Sequence, residues 1–271
     1  MTSERQFERL SKARRSLVAD LASRAGRERH GFFLLEGTRA IEDALVRGAR
    51  LAFLVVDPAA EDYVMRWLAA GLVSESTAIF RAGKGDVERL ADTTTPQGIL
   101  AVGALPAGGL AALPAEPERM TLLVDGLQDP GNLGTLLRTL AAVGGKAAIC
   151  CTGTVDPFNP KALRGSAGAA LSLAIARGVE REVAAGWCAQ RGVAIVALAA
   201  GGSDLFAAQL PAGPLALAVG NEAAGLSPEI ERAATLVAGI PMEPVVESLS
   251  AAVAGSVALY ALTHHLVRGG R

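Results

Sequence analysis

The sequence predicts an α/β protein built from two domains. Of its 271 residues 51% are hydrophobic and only 4% are aromatic, so Ala, Val and Leu must build the core. Short apolar runs of strand length alternate with segments of helical periodicity, which indicates helices layered on sheets. A stretch rich in Ala, Pro and Gly at 104–119 interrupts this alternation and is typical of a linker. We expect a first domain at 1–106, a linker at 107–119 and a second domain at 120–271.

The first domain opens with a basic amphipathic helix, which we place at roughly 4–25 because its apolar residues can share one face. The remaining elements alternate in type. Strands are expected at 32–37, 51–56, 77–80 and 98–103, and helices at 38–47, 63–70 and 86–91. This order indicates a small α/β sandwich.

The second domain alternates more regularly. Strands are expected at 120–126, 147–151, 193–199, 214–220 and 235–240, and helices at 132–143, 160–172, 180–191, from Ser227 onward and at 248–267. Gly144 ends the first of these helices, and Ser227 followed by Pro228 is a good start signal. Continuously apolar strands between helices indicate a parallel sheet covered on both faces.

Bulk properties narrow the class of protein. No apolar run approaches the roughly 20 residues of a membrane helix, and the N-terminal residues do not resemble a signal peptide. The cysteines, Cys150, Cys151 and Cys188, are odd in number and include an adjacent pair, which argues against a disulfide framework. No Cys/His cluster has zinc spacing. We expect a cytoplasmic protein without a bound metal or a membrane partner.

Charge is unevenly distributed. The net charge of −1 argues against a protein that coats nucleic acid, yet the first thirty residues are basic. This segment carries Arg5, Arg9, Lys12, Arg14, Arg15, Arg24, Arg27 and Arg29. A local basic element suits docking on a folded RNA, and a solvated helix face explains the same charges equally well.

The stretch DGLQDPGNLGTLLRT (125–139) places a Pro-Gly turn and a helix directly after a strand. Ligands of open α/β sheets bind at such strand ends. Arg138 falls off the leucine-lined face of the helix, so its side chain points away from the core. The alternative is that Asn132 caps the helix and Arg138 is an ordinary surface residue.

In LAVGNEAAGLS (217–227) a buried strand runs into a glycine-containing loop. Glycine lets backbone amides approach a ligand, although an ordinary turn would look similar. The pattern is neither G-x-G-x-x-G nor a P-loop, so a dinucleotide or nucleoside triphosphate is poorly supported.

The stretch GIPMEPVVESLSAAVAGSVALYAL (239–262) joins a strand end to a helix rich in small residues. Small residues at 250–258 permit close packing of another chain segment or another subunit. A well-packed Ala-rich helix is the simpler interpretation.

Together and in this order, the three stretches resemble the signature motifs of the SpoU (TrmH) family in the SPOUT methyltransferase superfamily. They are similar to its N-x-G-x-x-x-R, its G-N-E-x-x-G, and its I-P-M followed by S-L-N-V-S-V-A. NPKALRGSAGAAL (159–171) resembles the intervening R-x-S-x-G segment. RERHGFFLLEGTRAIEDALVRG and TTPQGILAV more weakly resemble the ribosomal-protein-L30e-like substrate-binding domain of that family.

The resemblance implies a trefoil-knotted C-terminal domain with a parallel sheet, preceded by a small L30e-like α/β domain. It implies a homodimer that transfers a methyl group from S-adenosylmethionine to a ribose 2′-oxygen of RNA. The catalytic positions would be Arg138, Asn132, Glu222, Ser248 and Ser250. The donor-binding positions would be Leu198, Ala199, Ala200, Gly201, Val219, Gly220, Asn221, Glu222, Ile240, Met242, Ser248 and Leu249. RNA would meet Arg5, Arg9, Lys12, Arg14, Arg15, Arg27, Arg29 and Arg164.

Two departures from the family pattern bear on these expectations. Ala223 stands where the family usually has Gly, which would cost about 1 kcal/mol if the position required a positive φ. In the third motif, Ser250 stands where the family has Asn and Ala251-Ala252 where it has Val-Ser, and the Ser250 hydroxyl lacks the paired donor and acceptor of an amide.

The family assigns Arg138 the task of polarising or removing the 2′-hydroxyl proton. Because arginine stays protonated, we expect Arg138 to contact a phosphate and the 2′-oxygen and to stabilise developing alkoxide charge. Asn132 would orient Arg138 or the ribose, and Glu222 would hold the loop.

Several alternatives stay open on sequence alone. The L30e-like domain favours rRNA over tRNA as the substrate. Ser250 leaves room for an RNA-binding knot protein with impaired catalysis. A SPOUT enzyme that methylates a base is disfavoured by the complete N-x-G-x-x-x-R element, and an oxidoreductase by the missing glycine fingerprint.

Overall fold

The computed structural model describes residues 7–83 and 85–268, with side chains described as far as Leu266. The chain divides into two compact units. Unit 1 contains the described residues up to Leu105 together with Phe158–Leu171, and unit 2 contains Pro106–Pro157 and the described residues from Ser172 onward. The segment 158–171, which falls within the second domain expected at 120–271, is thus grouped with unit 1.

The regular elements of the described residues, in chain order, are β1 (Glu8–Arg9), α1 (Lys12–Asp20), α2 (Arg24–His30), β2 (Phe32–Glu36), α3 (Thr38–Val46), β3 (Leu51–Val56), α4 (Glu61–Ala69), β4 (Ala78–Arg81), α5 (Asp86–Leu90), β5 (Ile99–Ala104), β6 (Met120–Asp125), α6 (Pro130–Ala142), β7 (Ala147–Cys151), α7 (Pro160–Gly165), β8 (Ala174–Val179), α8 (Arg181–Gln190), β9 (Ala194–Asp204), β10 (Leu215–Gly220), α9 (Pro228–Ala233), β11 (Leu236–Gly239) and α10 (Ala251–Arg268). Short 3-10 helices lie at Pro58–Ala60, Leu110–Ala112 and Ala169–Ser172. Within the described residues, no helix is both long enough and apolar enough to cross a membrane.

Unit 1 is built on a mixed sheet in the order β1-β4-β3-β5-β2. β3 runs parallel to β4, whereas β5 runs antiparallel to both β3 and β2. Its core is formed by apolar residues of these strands packed against the first helices, including Val18, Leu21, Leu34, Val55 and Val102. The small α/β domain expected from the sequence is therefore present.

The single helix expected at 4–25 is wrong over the residues that are described. The chain forms the short strand β1, then α1 and α2. Ser11 caps α1 by accepting from Arg14 N at 3.3 Å, and Ser23 caps α2 by accepting from Gly26 N at 3.0 Å. Such caps start new helices, because a serine oxygen satisfies an amide that lacks a helical partner.

Unit 2 contains a six-stranded sheet in the order β11-β9-β10-β6-β7-β8, and every pairing in it is parallel. The parallel sheet expected from the apolar strands is confirmed. β10 and β6 lie at its centre, with all six residues of β6 buried. The threading of the C-terminal segment through a knot stays a prediction.

Two elements of the 160–180 region differ from expectation. The helix expected at 160–172 ends at Gly165, because Ala167 (φ 48°) and Gly168 (φ 72°) adopt left-handed conformations that stop it. The strand β8 was not expected, since Arg177 and Gly178 interrupt its apolar pattern.

Candidate functional site

A cavity of about 490 Å³ opens in unit 2 beside the carboxyl ends of β9, β10 and β11. This is the edge of a parallel sheet at which ligands bind. Its lining consists of Asn132, Leu198, Ala199, Ala200, Val219, Gly220, Asn221, Glu222, Gly225, Leu226, Glu231, Ile240, Met242, Ser248, Leu249, Ser250, Ala251 and Ala254. All three motif stretches therefore meet here. Of the positions expected to bind the donor, Gly201 is not part of the lining.

The loop after β10 lets backbone line this cavity. Asn221 N donates to Gly225 O at 2.8 Å, and Gly225 N donates to Asn221 O at 2.9 Å. A Cβ added at Gly220 would lie 2.3 Å from the carbonyl carbon of Gly225, so the loop closes only over a glycine. The left-handed residue of the turn is Gly225 (φ 73°), and Ala223 is not among the residues of positive φ. The cost anticipated at Ala223 does not arise.

The Glu222 carboxylate holds the start of α6 in place. Its Oε2 accepts from Gln128 N at 3.2 Å, and its Oε1 accepts from Asp129 N at 3.1 Å and from the side-chain amide of Asn132 at 3.2 Å. Burial alone would raise the pKa of Glu222, but backbone amides and the Asn132 amide outweigh it and hold that pKa below its ordinary value. A carboxylate so engaged is a poor proton acceptor and acts as a positioning group.

The C-terminal boundary of the site is set by Ser250. Its hydroxyl accepts from Val253 N at 3.3 Å and its carbonyl accepts from Ala254 N at 2.9 Å, so Ser250 caps α10. The helix begins at Ala251, three residues later than the sequence suggested. Farther along, a Cβ at Gly255 would lie 2.5 Å from Leu136 Cδ2, which explains why a small residue occupies this crossing of α10 over α6.

Arg138 and Asn132 share α6 but lie on different sides of it. Asn132 lines the cavity, whereas Arg138 is exposed and is not part of the lining. Six helical residues rotate the side-chain direction by about 240°, which accounts for the separation. Arg138 makes no hydrogen bond or ion pair with the described residues. The structure therefore does not bring Arg138 to the cavity of its own chain.

The charge of the lining is negative. Glu222 and Glu231 contribute carboxylates, and no Lys or Arg lines the cavity within the described part of the chain. Such a lining disfavours phosphate groups and suits a cationic ligand. Across the described residues, no group of three or more His, Cys, Asp or Glu side chains is arranged to hold a metal ion.

Some lining residues were missed by sequence reasoning. Gly225 lies in the second motif, and Ala251 and Ala254 lie in the run of small residues at 250–258. The sequence therefore marked all three positions, although they were not expected to line the ligand cavity. Leu226 and Glu231 carried none, because their approach to the cavity depends on the direction in which α9 leaves the loop.

Arg27, expected to bind RNA, is instead a structural residue. It is 1% exposed, and its Nη1 donates to the carbonyls of Leu21 and Ala22 at 2.8 and 3.1 Å. A guanidinium buried in this way stabilises the turn between α1 and α2 and leaves no surface for RNA. The expectation for Arg27 is corrected accordingly.

The other residues expected to bind RNA differ from Arg27 in their exposure and contacts. Arg9 and Lys12 are exposed, and the Arg14 guanidinium lies 4.1 Å from the ring centroid of Phe80. Arg15 pairs with Asp86 at 3.2 Å and Arg29 with Asp20 at 3.4 Å. Arg5 lies outside the described residues. Arg164, on α7, pairs with Asp92 at 2.8 Å.

An all-parallel sheet with a backbone-rich, carboxylate-lined cavity at its strand ends defines an α/β ligand-binding protein. Comparison with known proteins gives the family. Residues 119–260 match the SpoU rRNA Methylase family, and residues 16–101 match the MRM3-like substrate binding domain. The chain belongs to the SpoU rRNA methylase family.

Individual relatives agree with this assignment. The chain is 31% identical over 241 residues to an uncharacterized tRNA/rRNA methyltransferase of Synechocystis, covering 87% of this chain and 85% of the relative. It is 31% identical over 247 residues to the 23S rRNA (guanosine(2553)-2′-O)-methyltransferase RlmP of Bacillus subtilis, covering 89% and 92%. The crystal structure of the SpoU methyltransferase AviRb from Streptomyces viridochromogenes in complex with AdoMet superposes with a TM-score of 0.84 at 26% identity, covering 95% of this chain and 99% of that one.

Proposed function

We propose that this protein transfers a methyl group from S-adenosylmethionine to the 2′-oxygen of a ribose in structured RNA, with rRNA as the substrate. The observation that carries the proposal is the cavity of unit 2, which joins the three motifs and is lined by two carboxylates and, among the described residues, by no basic side chain. The donor is a sulfonium cation, so the charge of the lining matches it.

The residues present fit this donor. A cavity of about 490 Å³ is within the usual range for a ligand of this size. Leu198, Val219, Ile240 and Leu249 supply apolar walls, and the loop closed over Gly220 supplies backbone groups at close range. When bound, the donor supplies a methyl group on a positively charged sulfur that is ready for direct transfer.

The residues of the chain contribute alignment. Glu222 fixes the Asn132 amide at the first turn of α6, so that Asn132 can orient the ribose beside the cavity. Holding the reacting atoms in line can lower a barrier by roughly 7–11 kcal/mol. Ser248 and Ser250 line the same cavity and would bound the space left to the ribose.

Arg138 would act from a second copy of the chain. Arg138 lies on the exposed side of α6, and the neighbouring α10 leaves Val253 and Tyr260 49% and 58% exposed. Exposed apolar side chains grouped on one surface are typical of an interface. We propose a homodimer formed through α6 and α10, in which Arg138 of each protomer meets the 2′-oxygen at the cavity of the other and stabilises its developing charge.

Relatives support rRNA as the substrate, since RlmP is named for 23S rRNA. A tRNA is the second candidate, because the relative from Synechocystis is named for both RNAs. Tritiated methyl transfer from S-adenosylmethionine to separate pools of unmodified rRNA and tRNA, followed by nucleoside analysis, tests the proposal. Label in a 2′-O-methyl nucleoside from rRNA is the expected result. Donor binding without label in either pool would contradict the proposed activity and indicate an RNA-binding protein instead of an enzyme.

A further inference from the structure

A second cavity, of about 330 Å³, lies within unit 1 and shares no lining residue with the cavity of unit 2. It is lined by Glu36, Gly37, Arg39, Ala40, Thr93, Thr95, Gln97, Arg164 and Ala167. The contributing elements are the end of β2, the first turn of α3, the loop that precedes β5, and α7 with the turn after it. Its volume is sufficient for one small polar ligand.

Two donors in this lining have no partner among the described residues. Arg39 is exposed and makes no hydrogen bond or ion pair with any described residue. Gln97 uses its side-chain oxygen to accept from the backbone amide and the hydroxyl of Thr38, both at 2.8 Å. The Gln97 amide is thereby fixed in orientation, and among the described residues its nitrogen has no partner. The cavity therefore presents a guanidinium and an oriented amide nitrogen.

Arg164 is held at the same cavity by two carboxylates. Its Nη2 lies 2.8 Å from Asp92 Oδ2 and its Nη1 3.5 Å from Glu36 Oε2. Glu36 is itself occupied, since it also accepts from Asp92 N at 3.0 Å and from the Thr93 hydroxyl. These contacts engage two of the five N–H donors of Arg164 and leave the others available. Arg164 is thus balanced by the Glu36 and Asp92 carboxylates, and Arg39 is the cation of the lining that no described carboxylate pairs with.

We infer that this cavity binds one backbone phosphate of the RNA substrate, with Arg39, Gln97 and Arg164 as the donors. Arginine suits phosphate because its planar donors match two phosphate oxygens. The contact would fix the register of the RNA on unit 1 without reading its sequence. This inference rests on the proposed RNA substrate and names where its backbone docks.

The test compares three variants of the full chain by their binding to transcribed, unmodified 23S rRNA over a range of salt concentrations. Arg39→Ala removes the free cation. Gln97→Glu keeps the acceptor for Thr38 and places a negative charge in the cavity. Arg50→Ala is the matched control, because Arg50 is also exposed but precedes β3, at the end of the sheet opposite Glu36.

We expect Arg39→Ala to weaken rRNA binding about tenfold at low salt. The slope of log affinity against log salt concentration should become shallower by about 0.7–0.9, which is the change expected when one phosphate contact is lost. Gln97→Glu should weaken binding at least as much, and Arg50→Ala should match the wild type. The affinity for S-adenosylmethionine should be unchanged in all three.

Equal salt slopes for Arg39→Ala, Arg50→Ala and wild type would overturn the inference. Binding of adenosine 5′-monophosphate distinguishes a free nucleotide from the RNA backbone as the source of the phosphate. If this nucleotide binds only when Arg39 is present, and Arg39→Ala leaves the salt slope of rRNA binding unchanged, the cavity binds a free nucleotide and the inference is overturned. Binding is measured separately from methyl transfer. A wild-type protein that binds rRNA without methylating it would therefore refute the proposed function, whereas the salt slopes of the variants would still test the phosphate site.

Discussion

Glu222 Oε1 accepts a hydrogen bond from the Asn132 side-chain amide at 3.2 Å, which ties the loop after β10 to the first turn of α6. The same carboxylate accepts from the backbone amides of Gln128 and Asp129. Two motifs 90 residues apart are thus joined by one side chain. The position of Asn132 at the donor cavity depends on Glu222 remaining ionised.

Glu222→Gln should lower kcat/KM by about tenfold, because the new amide group faces amide donors where the carboxylate accepted them. Kinetics with S-adenosylmethionine and rRNA measure the effect, and Glu229→Gln, on α9, is a control of the same type. Wild-type kinetics in the Glu222 variant would contradict the positioning role.

The pH dependence of this contact follows from the lowered pKa of Glu222. Since that pKa is depressed in the folded protein, the contribution to stability is present above the ordinary glutamate pKa and is lost as the pH falls through the lower folded value. We therefore expect donor affinity to persist down to the ordinary pKa of a glutamate and to decline below it. A decline already near neutral pH would assign the titration to another group.

Gly220→Ala should weaken donor binding at least tenfold, because a Cβ at Gly220 would lie 2.3 Å from the Gly225 backbone and force the loop open. Calorimetric titration with S-adenosylmethionine measures the effect. Gly186→Ala is the matched control: Gly186 lies within α8 and a Cβ there has nothing within 4 Å. That control should keep full affinity and gain about 0.5–1 kcal/mol in stability.

Arg27→Ala should destabilise the protein by about 2–4 kcal/mol, since it leaves two carbonyl acceptors unsatisfied and empties a packed site. Arg24→Ala, which disrupts an exposed pair with Glu28 at 2.8 Å, should cost at most about 0.5 kcal/mol. Denaturant unfolding measures both. Equal, small losses would show that Arg27 is not structural.

The proposed dimer predicts complementation. With S-adenosylmethionine well below saturation, the Arg138→Ala and Gly220→Ala homodimers should each retain only a small fraction of wild-type activity. A randomly reassembled mixture should recover about a quarter of wild-type activity, because half of the dimers are mixed and one of their two sites is intact. An Arg138→Ala protein as active as wild type, or a mixture without recovery, would refute the shared site.

The three cysteines should be inert in the folded protein. Burial raises the pKa of Cys188 to about 11 and that of Cys151 to about 12, and it raises the pKa of Cys150 further. Thiolates are the reactive form, so a thiol reagent should label none of them in the native state and all three after denaturation. Rapid labelling without unfolding would contradict their burial.

Sequence patterns predicted the parallel sheet, and the family resemblance predicted that the three motifs meet; they do so because residues that follow parallel strands converge at one edge of the sheet. Val219 and Ile240 illustrate this convergence. The prediction for Arg27 was wrong because arginine is usually a surface residue. Here its guanidinium is buried and donates hydrogen bonds to backbone carbonyls. Ser11 and Ser23 are start signals for two helices, but the spacing of the apolar residues also fits one continuous helix.

The separation of Arg138 from the cavity could not be predicted from the motif, since spacing along α6 gives the angle between Asn132 and Arg138 but not the direction of the cavity. Likewise, the pairing of Arg164 with Glu36 joins residues 128 positions apart, and no local pattern encodes it.

Alkaline hydrolysis of rRNA methylated by the wild-type protein shows which atom of the nucleotide receives the methyl group. A methyl group on the 2′-oxygen removes the nucleophile that cleaves the adjacent phosphodiester, so we expect the label in an alkali-resistant dinucleotide. Label recovered in a mononucleotide whose base carries the methyl group would contradict it, and would show that the cavity of unit 2 serves base methylation instead.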